Sequence, residues 1–478
     1  MKTLKQKSID AIIWNLIQRY GNQIFSIIIG VILARLLTPA DYGLIGMITV
    51  FFALAMVFVN GGFGLAFIQK KNADDTDAST IFFFNLFTSI FFYIILWFTA
   101  PLIAKFYDQN QLIDLIHVAS IVLIINSFSM MQIVKLTKEV NFKKKTIISL
   151  ASTLISGTVG IIAALNNFGV WSLVFQQLTS ASTNAIGLWF FYDWRPKFIF
   201  KIDSLKSMLS FSWWSLLSSI ITTLFNNIYI LTIGKFFPVE QLGFYTKAKG
   251  YQSIVSQQPA SAISAVSFPV FSKLQDDKIA LKNSLKKFTQ HTIFFIAPFS
   301  ALLIVIADPL ILVVLTEKWL PMVPYFKLLL VSGIFYPLLL YNGLIINSLG
   351  RTKLNFKINL SVNFFRILNI VLMYKLGVIY IIYGEIVVSV LAIFMSAYYT
   401  KRLINYGVFD QLKDLFIILF ISIIIVILGS KFSIFIINLY AKIIFGILFV
   451  TLLYLGLSYL FNKKLFFEFL QNFKNLKK

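Results

Sequence analysis

Apolar residues are grouped along the chain in long segments, which short clusters of charged and turn-forming residues separate. Each segment is long enough for a helix that crosses the hydrocarbon core of a bilayer, since a crossing takes about 20 apolar residues. The sequence therefore predicts an all-α polytopic membrane protein with about fourteen transmembrane helices. These lie near residues 11–36, 42–68, 79–104, 112–134, 146–166, 169–192, 209–235, 241–268, 285–307, 320–348, 354–375, 378–400, 413–430 and 434–460.

The composition supports this pattern, because 58% of the 478 residues are hydrophobic and only 13% are charged. At this apolar content the chain has no room for a sizeable soluble domain. The first segment follows lysines, as the apolar part of a signal peptide does, but it is too long and contains Asn15, Arg19 and Asn22. We expect it to be retained as a transmembrane helix.

The positive charges are distributed unevenly between alternate connections. The net charge is +23, and thirty of the 42 Lys and Arg residues fall in the segments that lie on one side of the membrane, against six on the other. Because cytoplasmic connections carry the excess of Lys and Arg, this predicts that both termini are cytoplasmic. The cations are dispersed between spans and form no single patch, which argues against nucleic-acid binding.

Several kinds of chemistry are excluded. The chain has no Cys, and its two histidines, His117 and His291, are isolated, so neither a disulfide nor a Cys- or His-based metal cluster is expected. There is no GxxxxGK[ST] phosphate loop, and the acidic pairs lie in loops too short for a catalytic domain. We therefore expect no catalytic residues, metal or cofactor, and the chain is not predicted to be an enzyme.

Internal matches predict a repeat. A shift of 200 residues places Trp14 on Trp214 and Gly43 on Gly243, and later matches follow in order at slightly larger shifts. An even number of helices in each half makes the two repeats parallel, as in alternating-access transporters with a central site. The predicted domains are an N-terminal six-helix lobe, a C-terminal six-helix lobe, and two extra lipid-facing helices with a basic cytoplasmic tail, over residues 1–200, 201–405 and 406–478.

Two predicted helices carry a polar stripe with an arginine near mid-membrane. Asn15, Arg19 and Asn22 share one face of the first helix. One face of the eleventh carries Asn355, Asn359, Asn363, Arg366 and Asn369. Polar faces within a membrane mark a wet cavity or a substrate path. The alternative for Arg19 is that its side chain extends to the inner interface.

The seventh and eighth predicted helices are also polar. Asn226 either lines a cavity or forms a hydrogen bond between helices. Lys247 and Lys249 lie in the outer half of the eighth helix, where extension to the outer interface is the alternative to substrate binding. Pro259 removes a backbone hydrogen bond at the centre of this helix and is a candidate hinge.

Carboxylates are scarce within the spans, and Glu385 is the main one. It is a candidate for ion coupling, or for an ion pair with a cation such as Arg366. Because each cation buried in mid-membrane costs about 2.5 to 3.5 kcal/mol, the excess of cations favours an anionic cargo, and a pyrophosphate would satisfy several of them at once.

Several short motifs follow one another along the chain: residues 33–44 read LARLLTPADYGL, and later motifs lie at residues 226–229 (NNIY), 242–246 (LGFYT) and 268–272 (FPVFS). Together they resemble the motifs of Wzx-type (WzxC-like) lipopolysaccharide and polysaccharide flippases. The resemblance implies the fold of the multidrug, oligosaccharidyl-lipid and polysaccharide (MOP) exporter superfamily, with two six-helix lobes in a V. It further implies a bacterial inner-membrane protein that works in O-antigen, capsule or exopolysaccharide biosynthesis.

The expected cargo is an undecaprenyl-pyrophosphate-linked oligosaccharide, which moves from the cytoplasmic to the periplasmic leaflet by alternating access. The expected partners are this lipid-linked oligosaccharide, membrane lipids, and the polysaccharide polymerase and chain-length machinery. Arg19 and Arg366 are the candidate headgroup ligands, and Lys247 and Lys249 would receive the headgroup as the cavity opens outward. The candidates for hydrogen bonds to sugar hydroxyls are Asn15, Asn22, Asn226 and Asn363.

Two alternatives belong to other functional classes. An exporter of small cationic molecules on the same fold would need intramembrane carboxylates, and the excess of cations argues against it. A membrane-bound polysaccharide polymerase or ligase typically needs a large periplasmic loop for its active site, whereas the predicted outward loops are short.

Overall fold

The computed structural model describes residues 4–461, 463 and 466–468, so most of the predicted basic tail lies outside the described residues. These residues form α-helices and short turns, without a β-strand in the described part of the chain. A π-helical turn, Ser253–Gln257, precedes α12, and a 3₁₀ helix, Glu317–Met322, precedes α14. The helices are α1 (Leu4–Leu36), α2 (Pro39–Asn60), α3 (Phe63–Gln69), α4 (Asp75–Tyr107), α5 (Leu112–Ala119), α6 (Ile121–Lys138), α7 (Phe142–Leu165), α8 (Trp171–Phe191), α9 (Ile202–Asn226), α10 (Ile228–Phe236), α11 (Val239–Gln252), α12 (Gln258–Lys273), α13 (Lys278–Leu315), α14 (Val323–Ile334), α15 (Tyr336–Ser348), α16 (Thr352–Met373), α17 (Val378–Ile404), α18 (Val408–Ile434) and α19 (Leu439–Phe461).

Capping boxes begin two of the long helices. At the start of α2, the Thr38 side chain accepts a hydrogen bond from the Asp41 N–H, and the Asp41 carboxylate accepts one from the Thr38 N–H at 2.8 Å. Asp74 and Asp77 form the same reciprocal pair at the start of α4. Each box satisfies N–H groups that have no partner within the helix, so the helix begins sharply at these polar residues.

Every one of the fourteen predicted apolar segments overlaps one of these helices or a short series of them, which confirms the all-α fold. Within the described residues, eleven helical segments are long and apolar enough to span a membrane, and a twelfth is added if α9 and α10, bent by 40°, count as one. The two predicted spans that remain, α8 and the series α11 to α12, carry many polar side chains. Their membrane crossing stays a prediction.

The chain divides into two compact units, residues 1–243 and 244–478. In unit 1, α7 packs between α1 and α8, and α9 packs on α2, α3 and α4. Because of this packing, α9 and α10 belong to unit 1, although the sequence repeat places the boundary at residue 200. The predicted boundary at residue 200 marks where the two sequence repeats meet, whereas the two units are defined by their compactness. The repeat boundary therefore stays a prediction.

Two glycines in unit 1 allow a close crossing of helix starts. A Cβ atom on Gly43 would lie 2.0 Å from the carbonyl oxygen of Val239, and a Cβ atom on Gly243 would lie 1.9 Å from the carbonyl oxygen of Pro39. The two contacts mirror each other at positions that the 200-residue shift makes equivalent. Only residues without a Cβ permit this backbone approach between α2 and the first turn of α11.

In unit 2 the long helix α13 packs against α14, α18 and α19. A buried amide pair ties α18 to α15, because Asn342 Nδ2 donates to Gln411 Oε1 at 3.2 Å and Gln411 Nε2 donates to Asn342 Oδ1 at 3.1 Å. In α19, the Tyr454 hydroxyl donates to the Phe294 carbonyl at 3.0 Å. The two C-terminal helices are therefore bonded into the core of unit 2, in addition to presenting exposed apolar faces as predicted.

Candidate functional site

Asn22 of α1 contacts α7 within unit 1. Its Nδ2 donates to Ser149 Oγ at 2.7 Å, and its Oδ1 accepts a hydrogen bond from Thr153 Oγ1 at 3.1 Å. Both ends of the amide are thus engaged by the neighbouring helix, which is the usual role of small polar residues between membrane helices. Asn22 therefore has a role in the packing of α1 on α7, and its contact with sugar stays a prediction.

Asn15 and Arg19 lie on the same face of α1 as Asn22, two turns and one turn before it. The Asn15 side chain is exposed and that of Arg19 is half-buried. These two positions are the part of the predicted stripe that remains accessible to a ligand.

Asn226 is the last residue of α9, at the point where the predicted seventh helix breaks. Its side chain is exposed, whereas the Asn227 amide donates to the Thr223 carbonyl at 2.8 Å and so completes the end of the helix. The chain then bends by 40° into α10. The exposed Asn226 amide therefore lies at a break between two helices, close to backbone polar groups of the helix end.

In unit 2, Glu385 of α17 forms an ion pair with Lys249 of α11. The distance from Lys249 Nζ to Glu385 Oε1 is 2.6 Å, and the exposed fractions of the two side chains are 29% and 13%. The Tyr245 hydroxyl lies 3.5 Å from Glu385 Oε2. The sequence suggested Arg366 as the partner of this carboxylate, but the structure places Lys249 there.

We expect Lys249→Met to destabilise unit 2, because it leaves a largely buried carboxylate without its cation. A fully buried pair that loses one partner costs about 3–5 kcal/mol, and the partial exposure of both groups reduces this figure. Glu385→Gln in the Lys249→Met background should recover most of the loss. Thermal unfolding of the purified protein measures both effects.

The exposed pair Lys327–Asp308, with side chains 36% and 61% accessible, provides the matched control. Lys327→Met should cost less than about 1 kcal/mol, as exposed ion pairs do. If Lys249→Met proved as mild as Lys327→Met, the Lys249–Glu385 pair would contribute no more to stability than an exposed pair does.

Arg366 of α16 is held by the residue one turn before it. Its Nη1 donates to Asn363 Oδ1 at 3.1 Å, and Asn363 is buried while Arg366 is half-buried. The ion pairs found among the described residues do not include Arg366. The guanidinium is thus oriented by a neutral amide within a candidate membrane span.

The ends of the same polar stripe on α16 have packing roles. Asn369 Nδ2 donates to the Ile381 carbonyl at 3.0 Å, and the Asn369 amide lies against Gly384 of α17, where a Cβ atom would overlap it. Asn355 Nδ2 donates to Asn347 Oδ1 at 3.1 Å. The stripe therefore divides into two packing positions and a middle part around Arg366.

Lys247 lies between two aromatic rings. Its Nζ is 5.9 Å from the ring centroid of Tyr251 and 5.8 Å from that of Trp319, which is fully buried. Cation–π contacts of this kind stabilise an ammonium group inside a protein. Composition and spacing gave no indication of Trp319 or Tyr251, since their contacts depend on tertiary structure.

Pro259 lies at the start of α12, directly after the π-helical turn of residues 253–257. Proline has no N–H and its ring displaces the preceding turn, and π-helical turns often relieve such a disruption. Gly333 of α14 allows close approach here, because a Cβ atom on it would lie 2.4 Å from Ser256 Oγ. The hinge role of Pro259 stays a prediction. The structure adds that the π-helical turn lies directly before it.

Among the described residues no group of three or more His, Asp or Glu side chains is arranged to hold a metal ion. The described polar positions offer instead cations and amides: Asn15, Arg19 and Asn226 in unit 1, and Lys247, Asn363 and Arg366 in unit 2. Such groups bind anions and hydroxyl-rich ligands.

The fold is that of multi-span membrane transporters. The solved structure of the lipid II flippase MurJ in an inward closed conformation matches with a TM-score of 0.77 at 16% identity, over 95% of this chain and 99% of that chain. An inward-facing multidrug resistance MATE family transporter of the MOP superfamily matches with a TM-score of 0.59 at 15% identity, over 80% of this chain and 95% of that one. The chain belongs to the polysaccharide biosynthesis protein family, which matches residues 32–324.

Curated relatives have names from polysaccharide biosynthesis. The teichuronic acid biosynthesis protein TuaB of Bacillus subtilis is 28% identical over 304 residues, which is 63% of either chain. The succinoglycan biosynthesis transport protein ExoT of Rhizobium meliloti is 26% identical over 68% of this chain and 66% of that protein. The lipopolysaccharide biosynthesis protein WzxC of Escherichia coli is 25% identical over 82% of this chain and 81% of that protein. The alignment thus spans slightly under two-thirds of the first two relatives.

The family and the fold confirm the predicted resemblance to polysaccharide flippases, and they are those of transporters. With its many apolar helices, the chain is a multi-pass membrane protein. The motif at residues 33–44, which carries part of this resemblance, contains the capping box of α2 and the crossing glycine Gly43.

Proposed function

We propose that this protein is a flippase for undecaprenyl-pyrophosphate-linked oligosaccharide units, which it moves from the cytoplasmic to the periplasmic leaflet of a bacterial inner membrane by alternating access. Both termini are cytoplasmic in this proposal. The product would then be available to a polysaccharide polymerase and its chain-length machinery on the periplasmic side.

The observation that carries the proposal is the charge of Arg366. The guanidinium lies in a candidate span and is oriented by the neutral Asn363, and the carboxylate of Glu385 forms its ion pair with Lys249. A cation at this depth costs about 2.5–3.5 kcal/mol on insertion scales, so its retention calls for an anionic ligand. A pyrophosphate offers the paired oxygens that a guanidinium binds best.

The remaining polar positions have roles in the same proposal. Arg19 in unit 1 and Arg366 in unit 2 are each proposed as a ligand of the pyrophosphate headgroup. Asn15, Asn22, Asn226 and Asn363 are the proposed hydrogen-bond partners of sugar hydroxyls, and Asn363 in addition orients Arg366. Lys247 and Lys249 receive the headgroup in the outward-open state, where Lys249 exchanges the Glu385 carboxylate for phosphate oxygens.

The test is the location of the lipid-linked oligosaccharide in cells that lack this protein. An impermeant sugar-modifying enzyme, added to intact spheroplasts, modifies only the units that have reached the outer leaflet. We expect the deletion to accumulate unmodified units on the inner leaflet, and the wild-type chain supplied in trans to restore modification. Arrival of the units at the outer leaflet without polymer would instead indicate a polymerase or ligase, and an unchanged glycan would indicate an exporter of small molecules.

A further inference from the structure

The connecting segment, defined here as residues 193–202 between α8 and α9, is fixed against the first turns of α4. The Lys197 N–H donates to Ser79 Oγ at 3.0 Å, and the Lys201 N–H donates to Thr80 Oγ1 at 3.1 Å. Both acceptor side chains are fully buried. The segment therefore follows a defined path along α4, although it contains little regular secondary structure.

Four large apolar side chains of this segment are exposed to a large extent. Phe198 is 97% exposed, and Phe200, Ile202 and Ile199 are 50%, 58% and 40% exposed. Exposure to water of several large apolar side chains in succession is unfavourable and marks a surface that contacts a partner or a membrane.

The position of Phe198 identifies that environment. Its ring stacks on the ring of Phe83 of α4, with centroids 5.5 Å apart and an interplanar angle of 27°. Further along α4, an exposed apolar stripe continues at helical spacing through Phe87, Phe91, Phe98 and Leu102. In a transmembrane helix such a stripe faces lipid, so Phe198 extends the lipid-facing surface of α4 by one turn.

The depth of this contact is set by α4 itself. Phe83 lies eight residues after Asp75, the first residue of the helix, which is about 12 Å along the axis at 1.5 Å per residue. This distance places the Phe198 ring near the boundary between headgroups and acyl chains, where aromatic side chains are enriched. The backbone of the segment therefore lies at headgroup level.

Cations flank the apolar side chains at this level. Lys197, Lys201 and Lys206 are exposed, and the ion pairs among the described residues do not include them. Arg195 is used within the protein, since its guanidinium stacks on Trp189 and donates to the carbonyl groups of Trp189, Tyr192 and Trp194. Three carboxylates lie in this region: Asp193 and Asp203 are exposed, and Asp75, which also attracts Lys197, forms an ion pair with Lys135 at 2.6 Å. With Lys135 and Asp75 paired, Lys197, Lys201 and Lys206 outnumber the remaining two carboxylates, so the surface keeps a positive excess.

We propose that the connecting segment is an interfacial anchor that binds anionic phospholipid. Phe198 and Phe200 insert among the acyl chains of the leaflet at which α4 begins, and Lys197 and Lys201 bind phosphate-bearing headgroups of the same leaflet. An apolar face with flanking lysines is the combination that binds anionic membrane surfaces. The charge distribution predicts that this leaflet is the cytoplasmic one.

Depth measurements on the full chain test the insertion. The sequence has no Cys, so single-cysteine variants can be spin-labelled without background. Phe198→Cys is labelled in vesicles of phosphatidylethanolamine and phosphatidylglycerol, with Phe98→Cys as the membrane-embedded control and Asn72→Cys as the exposed loop control. We expect the label at 198 to be accessible to oxygen and protected from a water-soluble nickel chelate, as the label at 98 is. Chelate access equal to that at 72 would overturn the proposal.

A second experiment tests the headgroup contact. The probe is spin-labelled phosphatidylglycerol, whose motionally restricted fraction is compared with that of labelled phosphatidylcholine. Lys197→Gln with Lys201→Gln should lower the preference for phosphatidylglycerol by about fivefold for each lysine near the surface. Lys71→Gln, an exposed loop lysine, is the control with no expected effect. An unchanged preference in the double variant would overturn the headgroup assignment, and neither readout depends on transport.

Discussion

Replacing Arg366 with glutamine is expected to slow translocation by about one to two orders of magnitude while the protein still inserts into the membrane. A hydrogen bond to a charged group contributes about 1.5–3 kcal/mol. Loss of this contribution in the rate-limiting state lowers the rate by about one to two orders of magnitude. The spheroplast assay measures the rate, and the amount of protein in the membrane fraction measures insertion.

Two further substitutions, one at Asn363 and one at Arg366, distinguish the charge of the guanidinium from its paired donors. Asn363→Asp would place a carboxylate beside the guanidinium and neutralise it, so we expect a loss of transport as severe as in Arg366→Gln. Arg366→Lys keeps the charge but loses the paired donors, and should retain partial activity. Lys353→Gln, which removes an exposed cation at the start of the same helix, is the matched control and should transport normally. Normal transport in Arg366→Gln would remove this residue from the site.

The second large effect is expected at the glycine crossing of unit 1. In Gly43→Val the new side chain would overlap the Val239 carbonyl, so the backbones of α2 and α11 must separate. Overpacking of this kind costs about 1–3 kcal/mol, and the cost is at the upper end where the obstructing atom belongs to the backbone. We expect a clear fall in the thermal unfolding midpoint of Gly43→Val and a similar fall in Gly243→Val, because the two contacts mirror each other.

Gly30→Ala is the control for this prediction. Gly30 lies within α1, and a Cβ atom there would meet nothing within 4 Å. Alanine has the higher helix propensity, so the substitution should be neutral or stabilising by up to about 1 kcal/mol. A Gly43→Val protein as stable as Gly30→Ala would show that the two helix starts do not need this close approach.

The helical segments could be predicted from the sequence because apolar length is a strong signal. The breaks within them could not. The predicted second span is two helices because Gly61 and Gly62 adopt left-handed backbone conformations, with φ of 51° and 73°. The predicted eighth span contains a π-helical turn before Pro259. Hydropathy averages over such local changes of backbone, so it reports the span and not its interruptions.

Polar residues within spans were recognised, but their partners were not. Asn22 and Asn369 looked equivalent to Asn15 and Asn363 by spacing, yet Asn22 bonds to α7 and Asn369 to α17. Glu385 pairs with Lys249, which lies 136 residues earlier. Helical periodicity defines a face of one helix, whereas the identity of the neighbour on that face is decided by tertiary packing.

The π-helical turn at residues 253–257 acts as a one-residue insertion in an otherwise regular helical path. An added residue rotates everything after it by about 100° relative to everything before it. Lys249 can therefore face Glu385 while Phe271, about four turns beyond the π-helical turn, enters the core beside Leu285. Deleting one residue from this turn would restore a continuous α-helix. Lys249 could then face Glu385, or Phe271 could enter the core, but not both at once. The length of the chain between Lys249 and Phe271 is thus as much a determinant of the site as the side chains themselves.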